Sequence, residues 1–369
     1  MLTRWNSQGR DPRRPPRSPG FPLDRMPVSS PAVSVVIVNW NRHDLLRACL
    51  LSLRQQSFRD FEIIVVDNGS TDASLELLRS EPFRGVRPIL NPVNRGYCAG
   101  NNQGIGVARG EFIALLNNDA EAEPRWLEQL LGAIRSDKKI GMAASKILTW
   151  ENRGIIDKVG HLIYPDGQNR GRGTGEPDHG QYDRVEETAW PDGCAGLYRR
   201  SLFEQIGGFD EDFFAYADDA ELGLRARIAG WRCLYVPTAV VYHHTGATLG
   251  RYSQERLFLI ERNRLWLAAK LFPWSLLVLN PVYFALRVAA TALAALNSRG
   301  ELPRAASHLG AFGLIKCLLK AQWAALAGLP AMLRKRRAVN ALRKLSAAET
   351  VALIQRFRIP LMDLVGGSR

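Results

Sequence analysis

The stretch Val33-Ser34-Val35-Val36-Ile37-Val38-Asn39-Trp40-Asn41 decides the fold, because an unbroken apolar run ends there in polar residues. Continuous runs of β-branched residues are typical of strands that are buried on both faces of a sheet. The amphipathic segment from Leu45 to Leu53 follows and predicts a helix that returns across the sheet. Together they predict the first strand and helix of an α/β domain.

The same alternation of strand and helix patterns continues along the chain. Strands are predicted at 61–66, 87–90, 112–116 and 233–236, regular structure at 193–200, and helices at 74–79, 99–108, 126–134, 201–206 and 219–229. Residues 155–190 are rich in Gly, Asp and Arg and predict a long irregular excursion that can include a hairpin, and such an excursion often shapes a ligand site. We expect a mostly parallel sheet with helices on both faces, Rossmann-like, with ligands beyond the carboxyl ends of the strands.

The distribution of charge restricts the partners of this 369-residue chain. The formal net charge is +13, but residues 1–31 carry 6 Arg and 2 Asp, and residues 297–369 carry 13 basic and 3 acidic residues. The middle is nearly neutral, which argues against nucleic acid as a substrate of the working domain. Basic ends favour an anionic membrane surface. Five widely spaced cysteines without a C-x-x-C pair favour a reduced, cytoplasmic compartment.

Polar residues follow three of the predicted strands: Asn39 and Asn41 after the first, Asp67 and Asn68 after the second, and Asn117-Asn118-Asp119 after the strand at 112–116. A carboxylate at such a place suits a ligand better than a core. One alternative for Asp67 is a turn or cap role, since Asn68-Gly69 favours a turn. Ser70, Thr71 or Asp72 can cap the next helix instead. We therefore expect the carboxylate of Asp67 to be free to accept a hydrogen bond from an N–H group of a nucleobase. For Asp119 the alternative is a cap of the helix near Pro124.

Three carboxylates crowd the start of another predicted helix, at Asp218, Asp219 and Glu221. Acidic residues there also favour the helix macrodipole, which accounts for one or two of them. Mutual repulsion of three raises at least one pKa toward a value that suits a general base.

These motifs, in this order, resemble those of the family 2 glycosyltransferases of the GT-A fold, and most closely the rhamnosyltransferase branch. The resemblance covers about Val33 to Asn263 and includes Asn94-Arg95-Gly96, Gly100-Asn101-Asn102 and Leu115-Leu116-Asn117-Asn118-Asp119. The last of these is similar to the family's D-x-D motif, with Asn117 in place of its first Asp. The segment Asp218-Asp219-Ala220-Glu221-Leu222 is similar to a Glu-Asp-x-Asp-Leu motif whose second residue is the catalytic base.

The resemblance implies a role for each matched residue. Asp219 is the catalytic base, and Asp119 with His243 binds a divalent cation, Mg²⁺ or Mn²⁺; His244 replaces His243 if the register is shifted by one. Asn117 alternatively contacts the donor sugar or ribose. Residues expected to bind the nucleotide sugar are Val38, Asn39, Asn41, Asp67, Asn68, Arg95, Gly96, Asn101, Asn117 and Asn118. Residues expected near the acceptor and donor sugar are Trp190, Asp192, Gly193, Cys194, Asp218 and Arg225.

The C-terminal third of the chain has a strongly apolar, helical pattern. We expect a disordered arm at 1–31, the GT-A domain at 32–265, and a helical, membrane-associated region at 266–369. Leu276 to Leu296 is long enough to span a bilayer, but Arg287 and Asn280-Pro281 interrupt it. Leu309 to Leu333, with Lys316, Lys320 and the basic run at 334–337, predicts an interfacial helix on the inner face of the cell membrane. The alternative is a helical subdomain or a surface for homo-oligomers.

The function predicted from the sequence is inverting transfer of a sugar from a nucleoside-diphosphate donor, with L-rhamnose from dTDP-rhamnose first, to a glycan or lipid-linked hydroxyl in envelope polysaccharide synthesis. Inversion follows from a single base without a nucleophilic partner. Alternatives are transfer from UDP-galactofuranose, a UDP-hexose or GDP-mannose, and a noncatalytic nucleotide-sugar-binding scaffold. A nucleotidyltransferase would require a Gly-rich, Lys-bearing phosphate loop after the first strand, and none follows Val38.

Overall fold

The computed structural model describes residues 30–244, 253–296, 308 and 310–365, so the arm predicted at 1–31 lies almost wholly outside the described residues. The strands are β1 (Val33–Asn39), β2 (Phe61–Asp67), β3 (Val86–Leu90), β4 (Phe112–Leu116), β5 (Ala120–Ala122), β6 (Ile140–Thr149), β7 (Ile156–Lys158), β8 (His161–Ile163), β9 (Asn169–Gly171), β10 (Glu186–Glu187), β11 (Ala195–Arg199) and β12 (Arg232–His243). The helices are α1 (His43–Arg54), α2 (Ser74–Arg79), α3 (Tyr97–Val107), α4 (Trp126–Arg135), α5 (Arg200–Ile206), α6 (Asp218–Ile228), α7 (Gln254–Leu271), α8 (Trp274–Leu296), α9 (Ala311–Leu342), α10 (Ala347–Arg356) and α11 (Leu361–Val365).

The main sheet has the strand order β10-β12-β6-β11-β4-β1-β2-β3. Strands β4, β1, β2 and β3 are parallel, as predicted, and their carboxyl ends meet at one edge. Strand β11 lies between β4 and β6 and is antiparallel to both, so the complete sheet is mixed. This insertion carries the segment just before β11 to the edge where β4 ends.

The sequence pattern missed one long strand of this sheet and predicted another as shorter than it is. Strand β6, buried over nearly its whole length, was not predicted, because Gly141 and the alanines that follow it have low strand propensity. Gly141 is required there, since a Cβ atom would lie 2.7 Å from the Trp231 ring. Strand β12 is longer than the predicted 233–236 segment because Pro237, which usually ends a strand, lies in a register shift between Val236 and Val240.

Helix α3 packs unusually close to β1. A Cβ atom on Gly104 would lie 2.3 Å from Val36 Cγ1, and one on Gly100 would lie 2.8 Å from Val38 Cγ1. Real Cβ contacts are not this short, so residues 100 and 104 must be glycine for the helix to approach the strand. The glycine in the Gly100-Asn101-Asn102 motif therefore serves packing.

The C-terminal helices belong to the same hydrophobic core as the sheet. Helix α7 runs without interruption through the boundary predicted between residues 265 and 266, so that boundary is misplaced: the helical region begins near Gln254. Helix α9 packs along α7, where Trp266 Nε1 donates to the Ala325 carbonyl (3.0 Å). Met332 and Phe357 join the core cluster that also contains Trp190, beneath the carboxyl edge of the sheet.

Two helices of this region, at 274–294 and 312–342, are long and apolar enough to cross a membrane. Only 11% of the most apolar stretch of the first helix and 22% of that of the second is buried. Large apolar side chains point outward on both helices, among them Val278, Leu293, Phe312, Leu319 and Trp323. The guanidinium of Arg287 is not an unpaired charge on the outer surface of α8. It pairs with Glu261 and Asp166 and so connects α8 to the sheet domain.

Candidate active site

A buried polar network joins the ends of β1, β2 and β4. Asn39 Nδ2 donates to Asp67 Oδ2 (3.0 Å), and Asn118 Nδ2 donates to Asn39 Oδ1 (2.8 Å). Ser70 donates to Asp67 through its amide (2.9 Å) and its hydroxyl (2.6 Å). The three predicted strand-end clusters therefore meet, but the expectation that Asp67 is a free acceptor is wrong in this structure. Both Asp67 oxygens accept protein hydrogen bonds, which gives that residue the turn role.

The remaining residues that were expected to bind the nucleotide sugar differ in how exposed their side chains are. Asn41 accepts from the Thr71 amide (2.8 Å), and Asn68, buried, donates to the Gly96 carbonyl (3.0 Å), so both order the loops around them. Arg95 is exposed, and Gly96 has φ 87°, which favours glycine. Asn101 does not face the cleft: it is buried on α3, and its amide donates to the Tyr97 carbonyl (3.0 Å).

Asn117 and Val38, like Asn41, are partly exposed at the strand ends. The Asn117 backbone amide donates to the Cys194 carbonyl (2.8 Å), which joins the end of β4 to the segment before β11. The side chain of Asn117 is partly exposed, and its contact with the donor stays a prediction.

Asp119 and His243 face each other, as predicted for a metal pair. His243 Nε2 lies 3.3 Å from Asp119 Oδ1, and His243 Nδ1 lies 2.8 Å from Asp157 Oδ2. Asp119 Oδ1 is buried and accepts no hydrogen bond within the part of the chain that the structure describes. His244 instead stacks on Trp150, with ring centroids 4.3 Å apart, so the histidine beside Asp119 is His243.

These three side chains fit a divalent cation. An unsatisfied carboxylate oxygen and an imidazole nitrogen point to one place, and both are donors that Mn²⁺ and Mg²⁺ sites use. Asp157 holds the other nitrogen of the ring, and such a carboxylate behind a ligating histidine fixes the tautomer and the ring orientation.

The first turn of α6 presents Asp218 and Asp219 after a strained backbone. Phe214, Tyr216 and Ala217 all have positive φ values, of 67°, 66° and 55°. Such conformations cost roughly 1–3 kcal/mol each for residues other than glycine and persist only where the surroundings fix them. The amide of Asn263 on α7 fixes this turn by donating to the carbonyls of residues 213, 215 and 216 at 3.0, 2.9 and 2.8 Å.

Asp219 enters a cluster of four charged side chains. His161 Nε2 lies 3.3 Å from Asp219 Oδ2 and 2.7 Å from Asp192 Oδ2, and the Gly193 amide donates to Asp219 Oδ2 (3.3 Å). Lys158 Nζ lies 3.1 Å from Asp192 Oδ2. Asp219 keeps 13% of its side chain exposed, which leaves it accessible to a substrate hydroxyl.

Burial and charge shift the two carboxyl groups of α6 upward. Burial raises the pKa of Asp219, and the charge of Asp192 raises it further. His161 and Lys158 lower this pKa and so offset part of the rise. Burial and the adjacent Asp219 raise the pKa of Asp218 well above its ordinary value. The expected repulsion among the acidic residues is therefore present, and it leaves Asp219 as the better ionised and more accessible of the two.

Glu221 and Arg225 are not part of the open cleft. Arg225 Nη2 lies 2.7 Å from Glu221 Oε2, and Lys270 Nζ lies 2.7 Å from Glu221 Oε1. Arg225 also donates to the backbone carbonyls of Ile206 and Gly208. The prediction that Arg225 lies beside the acceptor is therefore wrong: the guanidinium is buried and joins α6 to the loop that follows α5.

The segment before β11 forms the floor of the cleft. Trp190 is buried and stacks with His161, while Gly193 packs against Tyr97, whose hydroxyl donates to the Gly193 carbonyl (2.6 Å). The Cys194 amide donates to Asp192 Oδ1 (2.8 Å). Asp192, Gly193 and Cys194 thus lie between Asp219 and the end of β4, and Trp190 stacks with His161 beside them; their contact with the acceptor and donor sugar stays a prediction.

Sequence reasoning missed Asp157, Lys158 and His161, which lie in the segment predicted as an excursion that can include a hairpin. A signal existed: the apolar residues Ile156 and Val159, which are fully buried, flank Asp157 and Lys158 and indicate a segment that packs on the domain.

Comparisons with known proteins find glycosyltransferases among the relatives of this chain. The model of Glycosyl transferase family 2 matches residues 34–207, and that of Glycosyl transferase family group 2 matches residues 186–333. An N-acetylglucosaminyl-diphospho-decaprenol L-rhamnosyltransferase of Mycobacterium tuberculosis is 28% identical over 66% of this chain and 88% of its own. An O-antigen biosynthesis protein of Myxococcus xanthus is 32% identical over 61% of this chain. This chain spans 18% of the length of that protein and 25% of a further relative from Sinorhizobium fredii.

A solved structure, GalNAc-T7 with UDP, GalNAc and Mn²⁺, shares the fold with a TM-score of 0.52 at 17% identity. The match covers 66% of this chain and 51% of that one. It supports the GT-A architecture, with a mixed sheet, flanking helices and C-terminal helices added to it.

Proposed function

Because the chain belongs to glycosyl transferase family 2, we propose that it transfers a sugar from a nucleoside diphosphate to an acceptor hydroxyl with inversion at the anomeric carbon. The observation that carries the proposal is Asp219, a buried but accessible carboxylate in a charged cluster that reaches the Asp119–His243 pair through Lys158 and Asp157. A base and a cation site at one edge of the sheet are what this reaction needs.

In the proposed mechanism, Asp219 accepts the proton of the acceptor hydroxyl as that oxygen attacks the anomeric carbon. Its raised pKa makes it a stronger base than an ordinary aspartate. A divalent cation held by Asp119 and His243 would neutralise charge on the departing diphosphate. Since no second carboxylate acts as a nucleophile, the sugar is displaced once and its configuration inverts.

The first candidate donor is dTDP-rhamnose. The rhamnosyltransferase of Mycobacterium tuberculosis supports this choice, and it also supports a lipid-linked diphosphate glycan as acceptor. The relative from Myxococcus xanthus supports a place in envelope polysaccharide synthesis.

We also propose that the outward faces of α8 and α9 lie on the inner face of the cell membrane. Leu319 and Trp323 are 66% and 75% exposed, and the neighbouring Lys316 and Lys320 are exposed as well. Apolar side chains beside basic ones are typical of interfacial helices on anionic lipid. Only part of the predicted basic run at 334–337 is available for this, because Lys335 pairs with Asp212 (2.8 Å) and Arg336 is buried.

A donor panel tests the reaction. The full chain is incubated with dTDP-rhamnose, UDP-galactofuranose, UDP-glucose, UDP-galactose and GDP-mannose, with Mn²⁺ or with excess chelator, and release of the nucleoside diphosphate is measured. We expect one donor to be consumed with Mn²⁺, and chelator to reduce the rate to background. Donor binding without consumption would support the scaffold alternative, and full activity in chelator would refute the role proposed for Asp119 and His243.

A further inference from the structure

One short segment of the excursion contributes three side chains to the site. Strand β7, the turn after it and β8 place Asp157, Lys158 and His161 within five residues of one another. Ile156 and Val159 anchor the segment in a small apolar cluster behind it. The polar side chains are thereby held against the edge of the sheet where β4 and β12 end.

The contacts of these three side chains form a continuous chain across the site. Asp157 Oδ2 lies 2.8 Å from His243 Nδ1, and Lys158 Nζ lies 3.5 Å from Asp157 Oδ2. Lys158 Nζ is also 3.1 Å from Asp192 Oδ2. His161 Nε2 then reaches both Asp192 (2.7 Å) and Asp219 (3.3 Å). The metal pair and the base are thus connected through one segment.

The cluster is balanced in charge from within the chain. His161, Asp192 and Asp219 have ligand atoms within 4.8 Å of one another, a spacing that could also hold a metal ion. However, Lys158 and His161 already place two cationic side chains against Asp192 and Asp219. These contacts favour a site for internal ion pairs over a second cation.

Resting on the function proposed above, we propose that Lys158 and His161 are positioning residues that hold the carboxylate of the base Asp219 toward the acceptor and connect it to the metal pair. Neither residue contacts the reacting atoms. His161 fixes the rotamer of Asp219 directly, and Lys158 fixes Asp192, which accepts from His161.

Electrostatics support this arrangement. The groups that face Asp219 are His161 of β8, Lys158 of β7, Asp192 before β11 and the adjacent Asp218, and the hydroxyls of Tyr97 and Tyr198 also lie within its field. Burial lowers the pKa of His161, but Asp219 and Asp192 raise it by more, so the net shift favours the protonated ring. Loss of either cation raises the pKa of Asp219 further, so the base is protonated at higher pH.

The test uses the full chain with the donor that the panel selects. We compare wild type, His161→Gln, Lys158→Met and the conservative Lys158→Arg. The matched control is Lys146→Met, since Lys146 is also a buried lysine between two carboxylates, with Nζ 2.6 Å from Asp178 Oδ2 and 2.7 Å from Asp183 Oδ1, and none of its ion-pair partners is a residue of the site. Thermal denaturation identifies variants that fail to fold.

We expect His161→Gln and Lys158→Met to lower kcat on the order of tenfold with donor KM within about twofold, and to move the acid limb of the pH–rate profile up by about one pH unit. Lys158→Arg should restore most of the rate, and Lys146→Met should leave the profile unchanged. In an Asp219→Asn background, His161→Gln should have no further effect. An unshifted limb in folded, active variants overturns the inference, whereas an inactive wild type overturns the proposed function.

Discussion

At the scale of the residue, two adjacent aspartates of α6 have different surroundings. Asp218 is 7% exposed, and burial together with Asp219 raises its pKa well above the ordinary value. Asp219 has His161 and Lys158 nearby, whose charges oppose the rise. The neutral form of Asp218 removes a repulsion, which lets Asp219 remain ionised as a base.

We expect Asp219→Asn to reduce turnover by about 10²-fold or more while donor affinity stays within about twofold, because an amide cannot accept the acceptor proton. Asp218→Asn should be milder, since burial and the adjacent Asp219 already favour the neutral form of that carboxyl group. Steady-state kinetics and calorimetric titration of the donor measure the two effects. Wild-type-like turnover of Asp219→Asn would exclude this residue as the base.

The pH dependence of turnover follows from the direction of the Asp219 shift. A base works only when ionised, so activity is lost as pH falls through its pKa, and a raised pKa moves that loss upward. The midpoint of the acid limb should therefore lie above 3.8, the ordinary value for aspartate. Because Asp218 and Asp219 interact, the limb reports the pair. A midpoint at or below the ordinary value would contradict the burial argument.

At the scale of the element, the position of α6 depends on the turn before it. Three residues with positive φ precede Asp218, and the amide group of Asn263 on α7 donates to three carbonyls of this turn, those of Phe213, Ala215 and Tyr216. A helix of the C-terminal region thus sets the entry angle of the helix that carries the base.

We expect Asn263→Leu to cost about 1–3 kcal/mol in the free energy of unfolding, because the carbonyls of Ala215 and Tyr216 lose the amide that donates to them and the Phe213 carbonyl loses one of its donors. Turnover should fall at least tenfold, since the strained turn can relax. Chemical denaturation and kinetics measure both. The matched control is Asn280→Leu in α8, which loses a single 3.3 Å hydrogen bond to the Pro165 carbonyl and should retain turnover. Equal turnover in the two variants would show that the turn before α6 does not affect catalysis.

At the scale of the whole molecule, the C-terminal helices have two different faces. The inner faces of α7 and α9 complete the core beneath the site, through Trp266, Ala325 and Met332. The outer faces of α8 and α9 carry exposed Leu, Val, Phe and Trp side chains. Removing residues 297–369 would therefore damage the core as well as the outer surface, so membrane docking has to be tested in the full chain.

We expect the full chain to sediment with vesicles of phosphatidylglycerol and phosphatidylcholine and to be released as salt rises, because attraction between surface charges is screened beyond a Debye length. The pair Leu319→Ser with Trp323→Ser should weaken partitioning about tenfold or more. The control pair Leu90→Ser with Val93→Ser, exposed on the sheet domain, should have no effect. Binding that resists salt would instead indicate a spanning helix.

The sequence by itself determined the elements whose signals are local. Apolar runs followed by polar residues predicted β1, β2 and β4, and their parallel order brought Asn39, Asp67 and Asn118 together as expected. The order of motifs pointed to Asp119, Asp219 and His243, which the structure places in one connected cluster.

Tertiary structure decided the features that depend on distant partners. Asp67 is a turn residue because Ser70 and Asn39 donate to its oxygens, and Arg225 is buried because it donates to Glu221 and to the carbonyls of Ile206 and Gly208. The roles of Lys158 and His161 required β7 and β8 to fold back on a sheet edge made by strands far away in sequence. No short-range pattern contains such contacts, because their free energy arises only when buried charges from separate segments meet and offset the cost of leaving water.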